Sequence, residues 1–204
     1  MTIQQLYDKL CTTEFQDPKN GSLAYNFYIY KYPADKEYEM REIIVDFCDK
    51  LARPAVFVDV LALDLFKEFC LFLESLPFGE TTVLADTLTS EDQYPEDINK
   101  ELGANAESPE FYKYLNKRIQ EHLEEHPTGN AKPYVFVYGI GSMFPYLRAH
   151  VFLTCLEQFN QVNQYKIILF YPGECKGNSY SLFGKLDDTH AYRGNLLNDD
   201  ETNN

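Results

Sequence analysis

Two stretches decide the fold: residues 134–150, Y-V-F-V-Y-G-I-G-S-M-F-P-Y-L-R-A-H, and residues 166–171, K-I-I-L-F-Y. Tyr134 to Tyr138 is a near-continuous apolar run of strand length. A strand apolar on both faces belongs inside a sheet that is covered on both sides. Lys166 to Tyr171 reads the same way and is expected to stop at Pro172-Gly173. Between them the spacing predicts a helix from about Met143 to Phe159. Strand, helix and strand in that order form a parallel βαβ unit.

Working outward, Ala55 to Leu61 (A-V-F-V-D-V-L) reads as a third such strand, and Tyr25 to Tyr32 as an aromatic-rich one. Ile43, Ile44, Phe47, Cys48 and Leu51 recur at helical spacing and predict a helix over Glu37 to Leu51. Asp64 caps the next helix, which runs to about Leu76 and is apolar round most of its circumference. Such a helix is either sandwiched in the core or offers apolar surface to a partner. Residues 80–107 read as one polar, acidic helix with a frayed end. Ser108-Pro109 opens a further helix with Phe111, Leu115, Ile119 and Leu123 as its stripe. Tyr180 to Leu186 adds an edge strand or hairpin. The expectation is an α/β fold in three layers, with a mostly parallel central sheet and helices on both faces. Its layout is P-loop or Rossmann-like without the nucleotide motifs. Residues 1–197 form one domain, and the acidic residues 198–204 a disordered tail.

The chain has 204 residues, of which 45% are apolar, and carries a formal charge of −14. Phosphate backbones are bound through clustered Lys and Arg, and no such cluster occurs, so direct nucleic-acid binding is not expected. Sixteen Tyr and 15 Phe without any Trp suit either a bulky core or a contact surface. The five cysteines form no C-x-x-C pair, and Cys48, Cys70 and Cys155 fall inside apolar helical patterns as small core residues. No apolar run reaches about 18 residues, and no signal peptide is read at the start, so the expected compartment is the cytoplasm without membrane contact.

Several patterns resemble chemistry and then fall short. Gly139-Ile140-Gly141 and Ser142 sit between strand and helix, where a phosphate-binding turn would sit. The third glycine of G-x-G-x-x-G is replaced by Phe144, and Pro145 removes a donor. Gly177 to Leu186 (G-N-S-Y-S-L-F-G-K-L) fails as a Walker motif in both spacing and final residue. His122-Leu123-Glu124-Glu125-His126 matches H-x-x-E-H but ends a charged helix before Pro127, which favours a solvated helix end over zinc. G-x-S-x-G does not occur. Cys175 reads as a surface thiol on a loop. Arg148 falls in the apolar stripe of the helix predicted from Met143, so its guanidinium needs partners. Asp59 and Glu174, both placed near the carboxyl edge of the sheet, are the candidates. No residue set is read as catalytic or metal-binding, and no cofactor is expected.

Tyr134 to His150 resembles the most recognisable stretch of the BrxB family of BREX phage-defence systems. Ile167 to Glu174 (I-I-L-F-Y-P-G-E) and Leu182 to Asp188 (L-F-G-K-L-D-D) resemble its next segments. Phe27 to Glu42 resembles its N-terminal strand-to-helix join. The family's closing element of paired aromatics with Arg is kept here only in part, as Tyr192-Arg193. The resemblance implies an anti-phage component without enzymatic activity that associates with a PglZ-like alkaline-phosphatase-fold protein. Other BREX components, the methyltransferase and the BrxC-type ATPase, are further expected partners. Asp59, Gly139, Gly141, Ser142, Arg148, Glu174 and Arg193 form the candidate ligand or structural cluster. The alternative reading is a nucleotide-binding enzyme or sensor built on the turn Gly139 to Ser142.

Overall fold

The computed structural model describes residues 1–17, 27–53, 55–125, 133–158, 165–176, 179–188 and 194–198. The first part of the chain forms α1 (Ile3–Cys11), α2 (Thr13–Gln16), β1 (Phe27–Tyr32), α3 (Glu37–Leu51), β2 (Val60–Asp64) and α4 (Leu65–Ser75). A small hairpin follows, β3 (Pro77–Phe78) with β4 (Thr81–Thr82), then α5 (Val83–Ser90), α6 (Pro95–Ala106) and α7 (Pro109–Glu125). The last third holds β5 (Tyr134–Tyr138), α8 (Ala149–Glu157), β6 (Lys166–Lys176), β7 (Ser179–Leu182), β8 (Leu186–Asp188) and β9 (Asn195–Leu196).

Local chemistry sets several helix starts. Thr2 and Gln5 form a reciprocal capping box at α1. Asp64 Oδ1 accepts from the N–H groups of Phe66 and Lys67 at α4. Ser108 Oγ accepts from Phe111 N–H at 3.2 Å, with Pro109 in the first turn of α7.

β2, β5, β6, β1 and β9 lie side by side in that order, each pairing parallel with its neighbour. The sheet is nevertheless mixed, which corrects the mostly parallel expectation. β6 runs on past its parallel partners, and its far half pairs antiparallel with β7, which pairs antiparallel with β8. Pro172-Gly173 therefore does not end the strand. Pro172 stands at the last pair with β1, so its missing N–H falls where the parallel ladder stops. At Gly173 a Cβ would fall on the Ser181 carbonyl oxygen, so glycine lets β7 close in.

Both faces of the sheet are covered. On one, Phe69, Phe72, Phe111, Leu115, Ile119 and Phe152 from α4, α7 and α8 pack on Val135, Val137, Ile167 and Leu169. On the other, Leu6, Leu10, Phe15, Ile44, Phe47 and Leu51 from α1, α2 and α3 pack on Tyr134, Phe136, Ile168 and Phe170. Each such side chain contributes about 1.5–3 kcal/mol when fully buried. Two polar groups fasten α1 and α2 to the amino edge. Tyr134 donates to Leu10 O at 2.9 Å, and the buried Lys166 ammonium donates to Phe15 O with the Phe15 ring beneath it.

Three further expectations need correction. The third strand is Val60–Asp64, because Phe57 takes a left-handed φ of 58° and residues 55–59 form a turn and connection. An unbroken apolar run gives no internal mark of where its extended part begins. Residues 80–107 split into the β4 strand and two helices, α5 and α6. The helix expected from Met143 starts only at Ala149. Residues Gly141–Met143 form a single 3-10 turn, and Phe144 is extended because it precedes Pro145. The hairpin expectation for Tyr180 to Leu186 holds. The expected tail begins at Asn198, whose side chain bonds both backbone groups of Lys31; residues 199–204 lie outside the described part.

Candidate functional site

The carboxyl ends of β1, β2 and β5 meet in a polar network centred on Arg41 of α3. Its Nη1 lies 2.5 Å from Asp64 Oδ2, and its Nε lies 2.9 Å from Glu37 Oε1. Glu37 accepts a 2.5 Å bond from the Tyr32 hydroxyl. The guanidinium also sits 5.3 Å from the centre of the Tyr138 ring, and Nη2 reaches Ser142 Oγ at 3.4 Å. Burial alone would lower the Arg41 pKa, but the Asp64 and Glu37 carboxylates outweigh it and hold the group above its ordinary value. Burial, then the bond to Glu37, raises Tyr32 far above the usual phenol range. This network is a chain of charge-assisted bonds that ties α3 to three strand ends.

Glycine completes the turn after β5. Gly139 has φ 76°, and a Cβ there would lie 2.8 Å from Asp64 Oδ1 and 3.2 Å from Arg41 Nη2. Gly141 lies beneath the Phe183 ring of the β7–β8 turn, at a distance that leaves no room for a Cβ. The N–H groups of Ser142, Met143 and Phe144 bond to the carbonyls of Gly139, Ile140 and Gly141. A phosphate at this turn would have to compete with those bonds, and the Arg41–Asp64 pair and Phe183 crowd its approach.

Beside the network a cleft of about 570 Å³ opens at the ends of β1 and β6. Its walls include Tyr30 and Tyr32 from β1, Gly173 and Glu174 from β6, and Phe183 and Gly184 from the hairpin turn. Tyr32 borders the cleft and bonds to Glu37, and so joins it to the Arg41 network.

The candidate residues fare unequally. Gly139, Gly141 and Ser142 lie in the Arg41 network or against it, and Glu174 lines the cleft. Arg148 is exposed at the N-cap of α8 and is not on a buried face, because the helix starts after it; its guanidinium lies 6.0 Å from the Phe144 ring centre. Asp59 precedes β2 and so lies at the amino edge, opposite the network, where its Oδ2 is 2.6 Å from His122 Nε2. That contact also corrects the solvated reading of His122, which is only 16% exposed. His126 and Arg193 lie outside the described residues. Cys175 is half-buried in β6 and not on a loop. Among the described residues no cluster of three or more His, Cys, Asp or Glu could hold a metal, and no helix is long and apolar enough to cross a membrane.

Sequence reasoning missed Tyr32, Glu37, Arg41 and Tyr138. One signal was visible, the Glu37–Arg41 pair at i, i+4. Its role needed Asp64, which is remote in sequence and was read only as a helix cap.

Fold and site together define an α/β protein with a mixed sheet, whose carboxyl edge is closed by an arginine-centred ion-pair network next to an open cleft. The family model described as BREX protein BrxB matches residues 61–197, and the chain belongs to that family. A BREX protein BrxB of Bacillus cereus (strain H3081.97) is 25% identical over 199 residues, covering 97% of this chain and 96% of the relative. No solved structure matches the chain. Membership makes it a component of a BREX antiviral defence system, with partners among the other BREX proteins.

Proposed function

We propose that the chain is a non-enzymatic adaptor of a BREX complex that binds a PglZ-like alkaline-phosphatase-fold protein. The observation that carries this reading is the state of the carboxyl edge. Open α/β sheets place their chemistry there. Here Arg41, Asp64, Glu37 and Tyr32 satisfy one another, and Phe183 covers the turn that would hold a phosphate. The surface also presents large apolar groups: Tyr38, Tyr94, Phe57, Phe78 and Leu88 are all exposed. On α4 the residues Leu65, Phe69, Phe72 and Leu73 serve the core, while Phe66 and Leu71 face outward and remain open to a partner.

Co-expression of the tagged chain with its cognate BREX proteins tests the proposal. Retention of the PglZ-like protein through size exclusion is the expected result. Failure to retain it, alone or within the whole complex, refutes the adaptor role. Calorimetry with ATP and GTP tests the nucleotide alternative, and stoichiometric heat at micromolar affinity would restore it.

A further inference from the structure

β2 ends the row of strands, and among the described residues no strand lies on its outer side. The register with β5 decides which groups face that side. Tyr134 N–H bonds to Asp59 O, so by the alternation of a parallel ladder Leu61 and Leu63 turn their N–H and C=O groups to β5. Val60 and Ala62 turn theirs away from it. Neither has a backbone partner on the outer side among the described residues, and Ala62 is exposed. Unpaired backbone donors and acceptors in that alternation are what an added strand needs.

Sheet edges are ordinarily blunted by lysine, proline, a bulge or a covering element. The stretch V-L-A-L has none of these residues, and its register with β5 is unbroken from Val60 to Asp64. The charges at its two ends are already held, Asp59 by His122 and Asp64 by Arg41. α3 runs alongside: Arg41 meets Asp64 at one end of β2, and Leu51 O accepts from Val58 N–H at the other. One turn on from Arg41, on the same face of α3, Val45 is 60% exposed. Phe57, in the turn before β2, is 65% exposed. Bare backbone flanked by open apolar groups suits an extended chain with alternating side chains.

A helix bonds its own N–H and C=O groups along its length and cannot offer them here. A second copy could offer its own β2. Antiparallel two-fold pairing would then bring the Asp59 end of each strand onto the Asp64 end of the other, between molecules that each carry −14. A neutral or basic strand from a different protein meets no such repulsion. We infer that the outer side of β2 is completed by such a strand from a partner protein, joined through backbone hydrogen bonds to Val60 and Ala62. The inference rests on the adaptor reading and adds to it the place and mode of contact.

The full chain carries the test at Ala62. Its N–H serves no bond within the sheet, so Ala62→Pro removes an outward donor and sets a ring where the strand would join, whereas Ala62→Val keeps the backbone intact. Partner capture is expected to fall at least about tenfold for Ala62→Pro and to hold for Ala62→Val, with both melting near wild type. Equal capture by wild type and Ala62→Pro, or equal loss in both variants, overturns the inference and leaves the adaptor role standing. Dimerisation of the chain alone that Ala62→Pro abolishes would assign β2 to a second copy and overturn it too. Amide exchange followed by NMR decides the matter without partner or variant. In the free chain the amides of Leu61 and Leu63 are expected to be protected and those of Val60 and Ala62 not. The peptide Ac-Lys-Val-Thr-Val-Thr-Lys-NH2 is expected to slow Val60 and Ala62, and its fully N-methylated form to leave them unchanged. Protection of all four amides in the free chain, or no slowing by the peptide, overturns the inference. No capture even by wild type refutes the adaptor role, while the exchange result still decides whether β2 accepts a strand.

Discussion

Replacing Arg41 with Gln should destabilise the protein by about 2 kcal/mol. The figure follows from the burial of its partners. Asp64 is 16% exposed, Glu37 22% and Arg41 itself 29%. Fully exposed pairs contribute about 0–1 kcal/mol, and breaking a buried pair costs about 3–5. The Arg41 network lies between, and losing its cation leaves two half-buried carboxylates with no counter-charge between them. For a chain of this length about 2 kcal/mol lowers Tm by roughly 4–8 °C. Asp64→Asn gives the second arm of a double-mutant cycle. Asn keeps the N-cap bonds to the Phe66 and Lys67 N–H groups, so the cycle isolates the ion pair from the cap. Urea unfolding at low and high salt is the assay. A coupling energy of about 1 kcal/mol, shrinking only modestly with salt, is expected for a partly desolvated pair. Additive single mutants, with coupling below about 0.3 kcal/mol, would show that Arg41 and Asp64 are not energetically coupled and would refute the reasoning.

Alkaline pH should unfold the protein cooperatively. Burial followed by Glu68 raises the Tyr114 phenol to about 12, and burial raises Tyr165 to about 12 and lifts Tyr28, Tyr30 and Tyr134 as well. A phenol whose folded pKa exceeds its unfolded value contributes stability that is intact below about pH 10 and lost as pH rises through the folded value, so tyrosinate absorbance should appear in step with loss of circular dichroism above pH 10. A gradual titration with the fold intact would contradict this. Gly173→Ala should push β7 off β6, because the added methyl falls on backbone; a loss of about 1–3 kcal/mol with the β7–β8 amides losing hydrogen-exchange protection is expected, and unchanged protection would refute it. A fragment of residues 61–204 should fail to fold, although it contains the whole span matched by the family model. β1 pairs with both β6 and β9, and α1 to α3 cover one entire face, so the fragment should show no cooperative transition.

Much of the fold was legible because periodicity and end signals are local. The helix Glu37–Leu51 was read to the residue from its apolar spacing, and Asp64 and Ser108 marked the helices that they cap. The double-faced apolar runs at Tyr134 and Lys166 gave the parallel core. Frame and continuation were not legible. Nothing in A-V-F-V-D-V-L-A-L says that the extended part begins at Val60, and that shift carried Asp59 to the opposite edge from the one expected. Pro172-Gly173 looked like a stop because proline ends ladders, yet β6 had a second partner whose pairing tolerates it.

The site was hidden for the same reason. Arg148 drew attention through a helical register that Pro145 had already broken, whereas Arg41, on the helix Glu37–Leu51, drew none. What the sequence determined by itself was the class of fold, its two apolar faces and the family, all of which depend on residues near one another in the chain. Only the tertiary structure brought Tyr32, Glu37, Arg41, Asp64 and Gly139 to one edge and opened a cleft beside them. Strand order and the frame of each strand set those neighbours, and both come from packing between segments that are distant in sequence.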